Sequence, residues 1–409
     1  DVEVSADDQA LLDTIETFQT EEGNVRLTLK AHDVKSKLNE VQGTAYLRLR
    51  PDYGDRVLDV VQGVTFESRC VLRTSSGARS RREPLAYQAP DIALREYADV
   101  LVGPQQVVWR DNVLLPDSYR HNQRRRLVNT LTVERGRWFA SLDPQLQPDL
   151  VEGGLRHLPG RYFHVDNEIR GHFGHLMTEQ ISRLWAWPET KRQFPDIKVL
   201  VSANPRRPVV LEYEYRIFEA AGVSRDDIVT VTCPTRVERL VSPAPLFSHP
   251  EYVHPKIVEV WDRIGDHLAA QAGDRERPER IFCSRRIDKR SCRNTPEVEK
   301  LFADHGFAVI YPEDLDIAEQ IMTFRTADVI AGLAGSGLFQ IEMVRDPKHV
   351  ITIASERYIA RNEYMMAAVR GHRMDTVLCV PERPDDFQSP FTFDVEREGR
   401  FLMGILSEL

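Results

Sequence analysis

Residues 280–338 read RIFCSRRIDKRSCRNTPEVEKLFADHGFAVIYPEDLDIAEQIMTFRTADVIAGLAGSGL. Three short apolar runs, RIFCS, FAVIYP and DVIAGL, are separated by stretches with helical spacing, TPEVEKLFADHG and DIAEQIMTFRTA. Strands this apolar have both faces buried, and a helix between each pair returns the chain to the same end of the sheet. That is the pattern of a parallel sheet. Thr295 is the predicted cap of the first helix, with Glu297 and Glu299 in its first turn and Gly306 at its end. Two further strands, VITIAS and DTVLCV, follow, with SGLFQIEMVRD and RYIARNEYMMAAVRG as helices. Residues 278–385 therefore predict a doubly wound α/β domain.

The alternation extends upstream. In residues 156–277, RYFHV, IKVLVSA, IVTVT and ERLVSPA read as strands. GHLMTEQISRLWAW (ended by Pro188), VVLEYEYRIFEAAG (stopped by Gly222) and PKIVEVWDRIGDHLAAQAG read as helices. A second parallel sheet, covered on both faces, is expected, with residues 275–278 as a linker and a cleft between two consecutive domains. Residues 1–155 differ. After a helical pattern at residues 9–18, the runs VRLTLKAHDV, GTAYLRLRP, RVLDVVQGVTF and CVLRTSS alternate apolar and polar positions, which predicts a β-rich region. SSGARSRREPLAYQAP and NQRRRLVNT read as exposed basic loops. The tail at 386–409 contains REGRFLMGILSEL, a predicted helix crossing back onto the earlier domain. The expected fold class is α/β: two Rossmann-like domains preceded by a β-rich amino-terminal region.

The 409 residues are 42% apolar and 29% charged, enough for two or three domains with sizeable cores. A net charge of −9, from 54 basic and 63 acidic residues, argues against general nucleic-acid binding. No apolar run approaches the roughly 18 residues of a membrane span, and the first residues lack a signal-peptide pattern. Five cysteines without a CxxC pair read as buried thiols of a reducing compartment. A cytoplasmic protein is expected, with basic loops able to approach the inner face of a membrane.

Ligands of open parallel sheets bind beyond the carboxyl ends of the strands, so the residues there carry the functional reading. After RIFCS come Arg285, Arg286, Lys289, Arg290 and Arg293. Arginine presents a planar fork that matches phosphate oxygens, which makes Arg285 and Arg293 candidate phosphate ligands; the alternative is a solvated charged loop. After DVIAG, Gly332, Gly335 and Gly337 punctuate a strand-to-helix turn with Ser336 inside it. Its N–H groups can face an anion, or the glycines can serve packing alone. A Walker A motif is absent. Glu313, just past the second strand, can accept from ribose hydroxyls. Asp316 is the predicted cap of the next helix, and Glu319 and Gln320 lie in its first turn.

A second constellation is GHFGHLMTEQISRLW at residues 171–185. As one helix it lines His172, His175, Glu179 and Arg183 along a face. HxxHxxxE is not the HExxH zinc pattern. Three readings stay open: a metal site, histidines that cap or pack, and a base lining a cleft. Glu179 and Arg183 fit an i,i+4 ion pair.

GHFGHLMTEQISRL, IFCSRR with RSCRN, GFAVIYPEDLDIAEQI and TADVIAGLAGSGL occur in this order over roughly residues 155–385. Together they resemble glycosyltransferase family 61, the DUF563 group. The resemblance implies a GT-B arrangement of the two Rossmann-like domains. It also implies an inverting transferase that uses a nucleotide-sugar, a UDP-sugar, and needs no metal or other cofactor. The acceptor would be a hydroxyl of a polysaccharide or glycoconjugate, as in capsular polysaccharide biosynthesis. By resemblance, donor contacts fall on Arg285, Arg286, Arg293, Asn294, Glu313, Glu319, Gln320, Gly335, Ser336 and Gly337. His175 is then the expected base, His172 an acceptor contact or cap, and Glu179 or Asp166 the fallback base. Ala334 stands where the family's turn usually carries His. Two rival readings remain: a two-domain nucleotide-sugar epimerase, and a non-catalytic binding or assembly protein, which Ala334 favours.

Overall fold

The computed structural model describes residues 18–21, 24–27, 48–49, 55–75, 84–103, 106–110, 113–115, 156–167, 169–202, 210–231, 235–286, 290–358 and 360–409. They fall into two compact units. The first comprises residues up to Gln62, Asp91–Leu211 and Val223–Glu251; the second comprises Gly63–Pro90, Glu212–Gly222 and Tyr252–Leu409. The chain therefore passes between units several times, unlike the consecutive domains that the strand–helix alternation suggests. The helical pattern before Phe18, the core of the basic loop at 76–83, the NQRRRLVNT patch and Lys289 lie outside the described residues.

In the second unit six parallel strands lie in the order Ala308–Ile310, Arg280–Cys283, Val329–Leu333, His349–Ser355, Arg373–Cys379, Val71–Thr74. The first five are the apolar runs read from the sequence. The sixth comes from the β-rich beginning of the chain. Its Arg73 reaches the fully buried carboxylate of Asp375, with Nε at 2.5 Å and Nη2 at 2.8 Å, and His349 Nε2 lies 2.6 Å from the same group. A buried charge on the sheet face is thereby paired, which is the condition for keeping it there. Ala86–Ala89, expected within a loop, is a strand paired with Val64–Glu67.

The helices Glu212–Ala220 and Ile257–Ala269, read as part of the middle region, belong to this second unit. Phe282 stacks on Phe302 at 4.4 Å, and both share a core with Val377, Leu402 and Ile405. Leu402 and Ile405 belong to the tail helix Gly399–Leu406, which packs on the sheet of its own unit where a crossing back was expected. Arg280 Nη2 fixes its end by donating to the Leu409 carbonyl at 2.8 Å. The helix Thr295–Asp304 is capped at Asn294, one residue before the expected Thr295, whose hydroxyl turns back to the Cys292 carbonyl at 2.7 Å.

In the first unit Ile228–Val231, Lys198–Ser202, Arg156–His164 and Thr235–Pro243 form a parallel set in that order. The last of these pairs antiparallel with the long strand Ile92–Gly103, which also pairs antiparallel with Arg56–Val61 and Val107–Arg110. The four strands read between 156 and 243 are parallel as expected, but the amino-terminal strands extend the sheet into a mixed one. Tyr97, Val100 and Val102 join Leu158, Leu200, Val237 and Leu240 in one core, so the two strand sets share buried apolar surface.

GHLMTEQISRLWAW is not one helix. It comprises an α turn at Phe173–His175, a π-helical segment at Leu176–Gln180, a 3₁₀ segment at Ile181–Ala186 and an α-helix at Trp187–Gln193. Pro188 sits in the first turn of the last segment, where its missing N–H has no intrahelical acceptor to lose. It starts that helix and does not end the preceding one. No helix among the described residues is long and apolar enough to cross a membrane.

Candidate active site

In the second unit, Arg280–Cys283 lies between Ala308–Ile310 and Val329–Leu333. The chain leaves it for the first neighbour and then crosses to the second, so the strand order reverses there. Such a switch point opens a crevice at the carboxyl ends. Two stretches flank it: the residues that follow Cys283, with Ser284–Arg286 and Arg290–Asn294 described, and the turn at Ala334 and Gly335. Gly332 lets the strands close up: a Cβ there would meet the Cys283 carbonyl oxygen at 2.6 Å. Gly335 has φ +140°, which favours glycine, and its N–H donates to Glu363 Oε1 at 2.7 Å.

Arg285 folds over this turn. Its Nη1 donates to the Ala334 carbonyl at 3.2 Å, and its Nη2 donates to the Arg290 carbonyl. The 3₁₀ segment Ser336–Met343 starts beside it, and the N–H groups of Ser336 and Gly337 have no acceptor within that segment. A guanidinium next to N–H groups that have no acceptor within their own segment is suited to an anion. Burial and the neighbouring Arg290 push Arg285 down to about 10, which leaves it charged at neutral pH. Arg290 lies 4.1 Å above the Tyr358 ring. Burial raises the Glu363 carboxyl to about 7, against hydrogen bonds from its own N–H and that of Gly335 and the charges of Arg290 and Arg285. Glu363 Oε2, Arg285 Nε and Arg290 Nε are buried without a hydrogen-bond partner.

The other expected donor contacts surround this turn. Exposed Arg286 grips Asp314 through both oxygens, at 2.6 and 2.7 Å, and stacks on Tyr311 at 3.9 Å. Its N–H donates to Glu313 Oε1 at 3.3 Å. Arg293 holds Glu382 at 2.8 and 3.2 Å. The Asn294 amide pairs with both backbone groups of Phe393, at 2.9 and 3.0 Å, and so pins the tail. Gln320 donates to the Pro312 and Leu315 carbonyls at 2.7 and 3.0 Å and accepts from Gln340, which supports the loop carrying Glu313. Glu319 binds Arg275 and Arg277 at 2.9 and 2.8 Å, and Asp316 caps its helix through the Ala318 N–H at 2.9 Å. Arg285, Gly335, Ser336 and Gly337 thus come together, with Arg286 and Glu313 as an adjacent pair. Arg293, Asn294 and Gln320 are engaged in holding the frame.

In the first unit, Arg156–His164 lies between Lys198–Ser202 and Thr235–Pro243, again where strand order reverses. Asp166, just beyond it, is fully buried and accepts from the N–H groups of Gln106 and Ser202 at 3.2 Å each and of Asn167 at 2.9 Å. That enclosure makes it a brace for the loop and removes it as a fallback base. Arg170 Nη1 and Asn167 Nδ2 both donate to Gln180 Oε1, at 2.9 and 2.6 Å, and so tie the loop to the π segment.

His172 is exposed and caps the first turn, its Nδ1 accepting from the Gly174 N–H at 3.2 Å. Its ring meets His175 edge-on at 5.1 Å. His175 Nδ1 lies 3.0 Å from Glu179 Oε2, with 21% of the histidine side chain exposed and 6% of the glutamate. A carboxylate at Nδ1 favours the tautomer with the proton there, which leaves the lone pair on Nε2. Such π segments recur at functional sites. Arg183, expected to pair with Glu179, donates to the Pro243 carbonyl at 2.7 Å and fastens the segment to a strand end. Among the described residues no three His, Cys, Asp or Glu side chains gather as metal ligands.

Residues 173–351 match the family model described as Glycosyltransferase 61. That segment, under half of the chain, is assigned to glycosyltransferase family 61. It carries the family's glycosyltransferase signature, from which a sugar donor and an acceptor follow. No curated protein matches it. The matched segment spans both His175 with Glu179 and Arg285 with Gly335. It stops before Tyr358 and Glu363, which complete the transferase's Arg285 pocket and which sequence reasoning missed. The available signal was RYIARNE, an aromatic–basic–acidic run just past a strand's carboxyl end.

Proposed function

We propose that the protein is an inverting, metal-independent transferase of GT-B type, moving a sugar from a UDP-sugar to a hydroxyl of a polysaccharide or glycoconjugate. The reading rests above all on Arg285 folded over the Gly335 turn at a strand-order reversal, a cationic site for a diphosphate leaving group. The second unit is the donor side and the first the acceptor side. His175 Nε2 takes the proton of the acceptor hydroxyl while Glu179 stabilises the imidazolium that forms. The acceptor oxygen bonds to the anomeric carbon as the bond to the diphosphate breaks, and configuration inverts. Arg285 and the N–H groups of Ser336 and Gly337 receive the charge that develops on the diphosphate. Removing a single such donor costs about 10²–10³ in rate in other enzymes, so they are a major part of the barrier reduction.

A panel of UDP-, GDP- and CMP-sugars tests the reading. Slow nucleotide release without acceptor, and a product of inverted anomeric configuration by NMR, are expected. A new sugar nucleotide would mark an epimerase, and absence of binding to every donor would overturn the enzymatic assignment of this pocket.

A further inference from the structure

Beyond the strand Arg373–Cys379 the chain forms a loop closed by its own hydrogen bonds. The Arg383 N–H donates to Ser389 Oγ at 2.8 Å, the Asp386 N–H to the Arg383 carbonyl at 3.1 Å and the Gln388 N–H to Asp386 Oδ1 at 2.7 Å. Arg357, just past the neighbouring strand His349–Ser355, ties the loop down through the Pro384 carbonyl and Asp385. This loop holds up Phe387, which is 49% exposed. Among the residues whose burial is described it is the one exposed phenylalanine. A single exposed aromatic is ordinary by itself, so what distinguishes Phe387 is the fixed loop that presents it and the groups that stand beside it.

The polar groups beside it are those of the Arg285 pocket. The Phe387 ring lies 5.6 Å from that of Tyr358 at 59°. Arg290 Cζ is 4.1 Å from the Tyr358 centroid and 5.2 Å from that of Phe387. At the other end of the same guanidinium, Nη2 lies 3.9 Å from where a Cβ on Gly335 would stand. One side chain therefore spans from the anion site to the exposed ring. A nucleoside diphosphate has the matching layout, with phosphates at one end and a flat π face at the other.

We propose that Phe387 is the stacking face for the nucleobase of the donor, with Arg290 bridging base and diphosphate. The proposal rests on the reading of the Arg285–Gly335 turn as the diphosphate site. Stacking is tolerant of base identity, so Phe387 supplies affinity for nucleotides over bare phosphates and contributes little to the choice among bases.

Calorimetry with UDP, UDP-sugars and inorganic pyrophosphate on the wild type, Phe387→Ala and Phe387→Trp tests this. Near-UV circular dichroism checks that the variants keep their packing. Phe387→Ala should weaken UDP roughly tenfold and leave pyrophosphate unchanged, and Phe387→Trp should restore UDP binding. Unchanged UDP affinity in Phe387→Ala overturns the proposal. Equal losses for UDP and pyrophosphate also overturn it, since the ring would then act only through Arg290. Weakening of UDP-sugars alone would put the sugar on Phe387 and overturn it too. If the wild type binds neither UDP nor pyrophosphate, the diphosphate reading fails, and this proposal with it.

Discussion

His175 Nδ1 and Glu179 Oε2 lie 3.0 Å apart across a π-helical segment, with the glutamate nearly enclosed and the imidazole partly open. The carboxylate fixes the ring and its tautomer, so Nε2 is the nitrogen available to an acceptor hydroxyl. His175→Ala should lower kcat by on the order of a hundredfold or more with donor affinity near normal. Glu179→Gln keeps the hydrogen-bonding shape but removes the charge. It should cost roughly tenfold or more in kcat. Full activity in His175→Ala would place the base elsewhere.

Arg285 supplies the charge of the proposed diphosphate site. Arg285→Ala should weaken nucleoside diphosphate binding by roughly 1.5–3 kcal/mol, the scale of a charged hydrogen bond. Calorimetry reads this directly, and an unaltered affinity would refute the role. Arg286→Ala should have a smaller effect, because that guanidinium is already held by Asp314.

Glu363 gives the same pocket a pH dependence. Burial raises its carboxyl to about 7, so below that pH it is neutral and leaves the charges of Arg285 and Arg290 uncompensated. Above it, the carboxylate offsets one of them. Diphosphate affinity relative to Glu363→Gln should fall roughly three- to tenfold between about pH 6 and 8. The folded protein also holds a proton that the unfolded chain releases near 4.5. That stabilisation is complete below 4.5 and is lost as pH rises through 7. Parallel affinity profiles for the two proteins would rule out the coupling.

Asp375 behaves in the opposite sense. Burial raises its pKa, but hydrogen bonds from Arg73 and His349 outweigh burial and hold the carboxyl at about 2, below the ordinary 3.8. The stabilisation it gives is present above 3.8 and is lost as pH falls toward 2. Arg73→Ala should destabilise the second unit by roughly 1–3 kcal/mol, moderated because Arg73 is partly exposed and His349 remains. Thermal unfolding at neutral pH checks the size, and at acid pH the two proteins should converge.

Chelation separates the proposed mechanism from a metal-assisted one. With Arg285 and the N–H groups of Ser336 and Gly337 receiving the leaving charge, dialysis against EDTA should leave kcat unchanged. Activity restored only by added Mg²⁺ or Mn²⁺ would reverse that assignment.

Much of the second unit was legible because each central strand is a continuous apolar run bounded by a glycine- or charge-rich turn, as in Val329–Leu333. Arg285 and Gly335 were legible for the same reason: they stand immediately past such runs. The segment after Gly171 was not, since α, π and 3₁₀ turns share nearly the same apolar spacing and only packing decides among them. Val71–Thr74 was readable as a strand but not as a member of this sheet. Its partner Arg373–Cys379 is some 300 positions away, and the pairing is held by a backbone ladder and by ion pairs of Arg73 with Asp375 and Glu408. Glu363 was hidden because an acid in a helix's first turn ordinarily complements the dipole, and only its approach to the Gly335 N–H reveals another role.

The strand Val71–Thr74 also bears on how the protein can be divided. A fragment restricted to residues 173–351 would lack both it and Arg373–Cys379, would cut the strand His349–Ser355 after Ile351, and would leave the end of Val329–Leu333 without the partners Thr352 and Ile353. Extending that fragment to Leu409 leaves Arg373–Cys379 as an open rim of unpaired amides and strands the Asp375 carboxylate without Arg73. Either piece is expected to stick to its own copies edge to edge, so the second unit is portable only together with a ribbon from near the front of the chain.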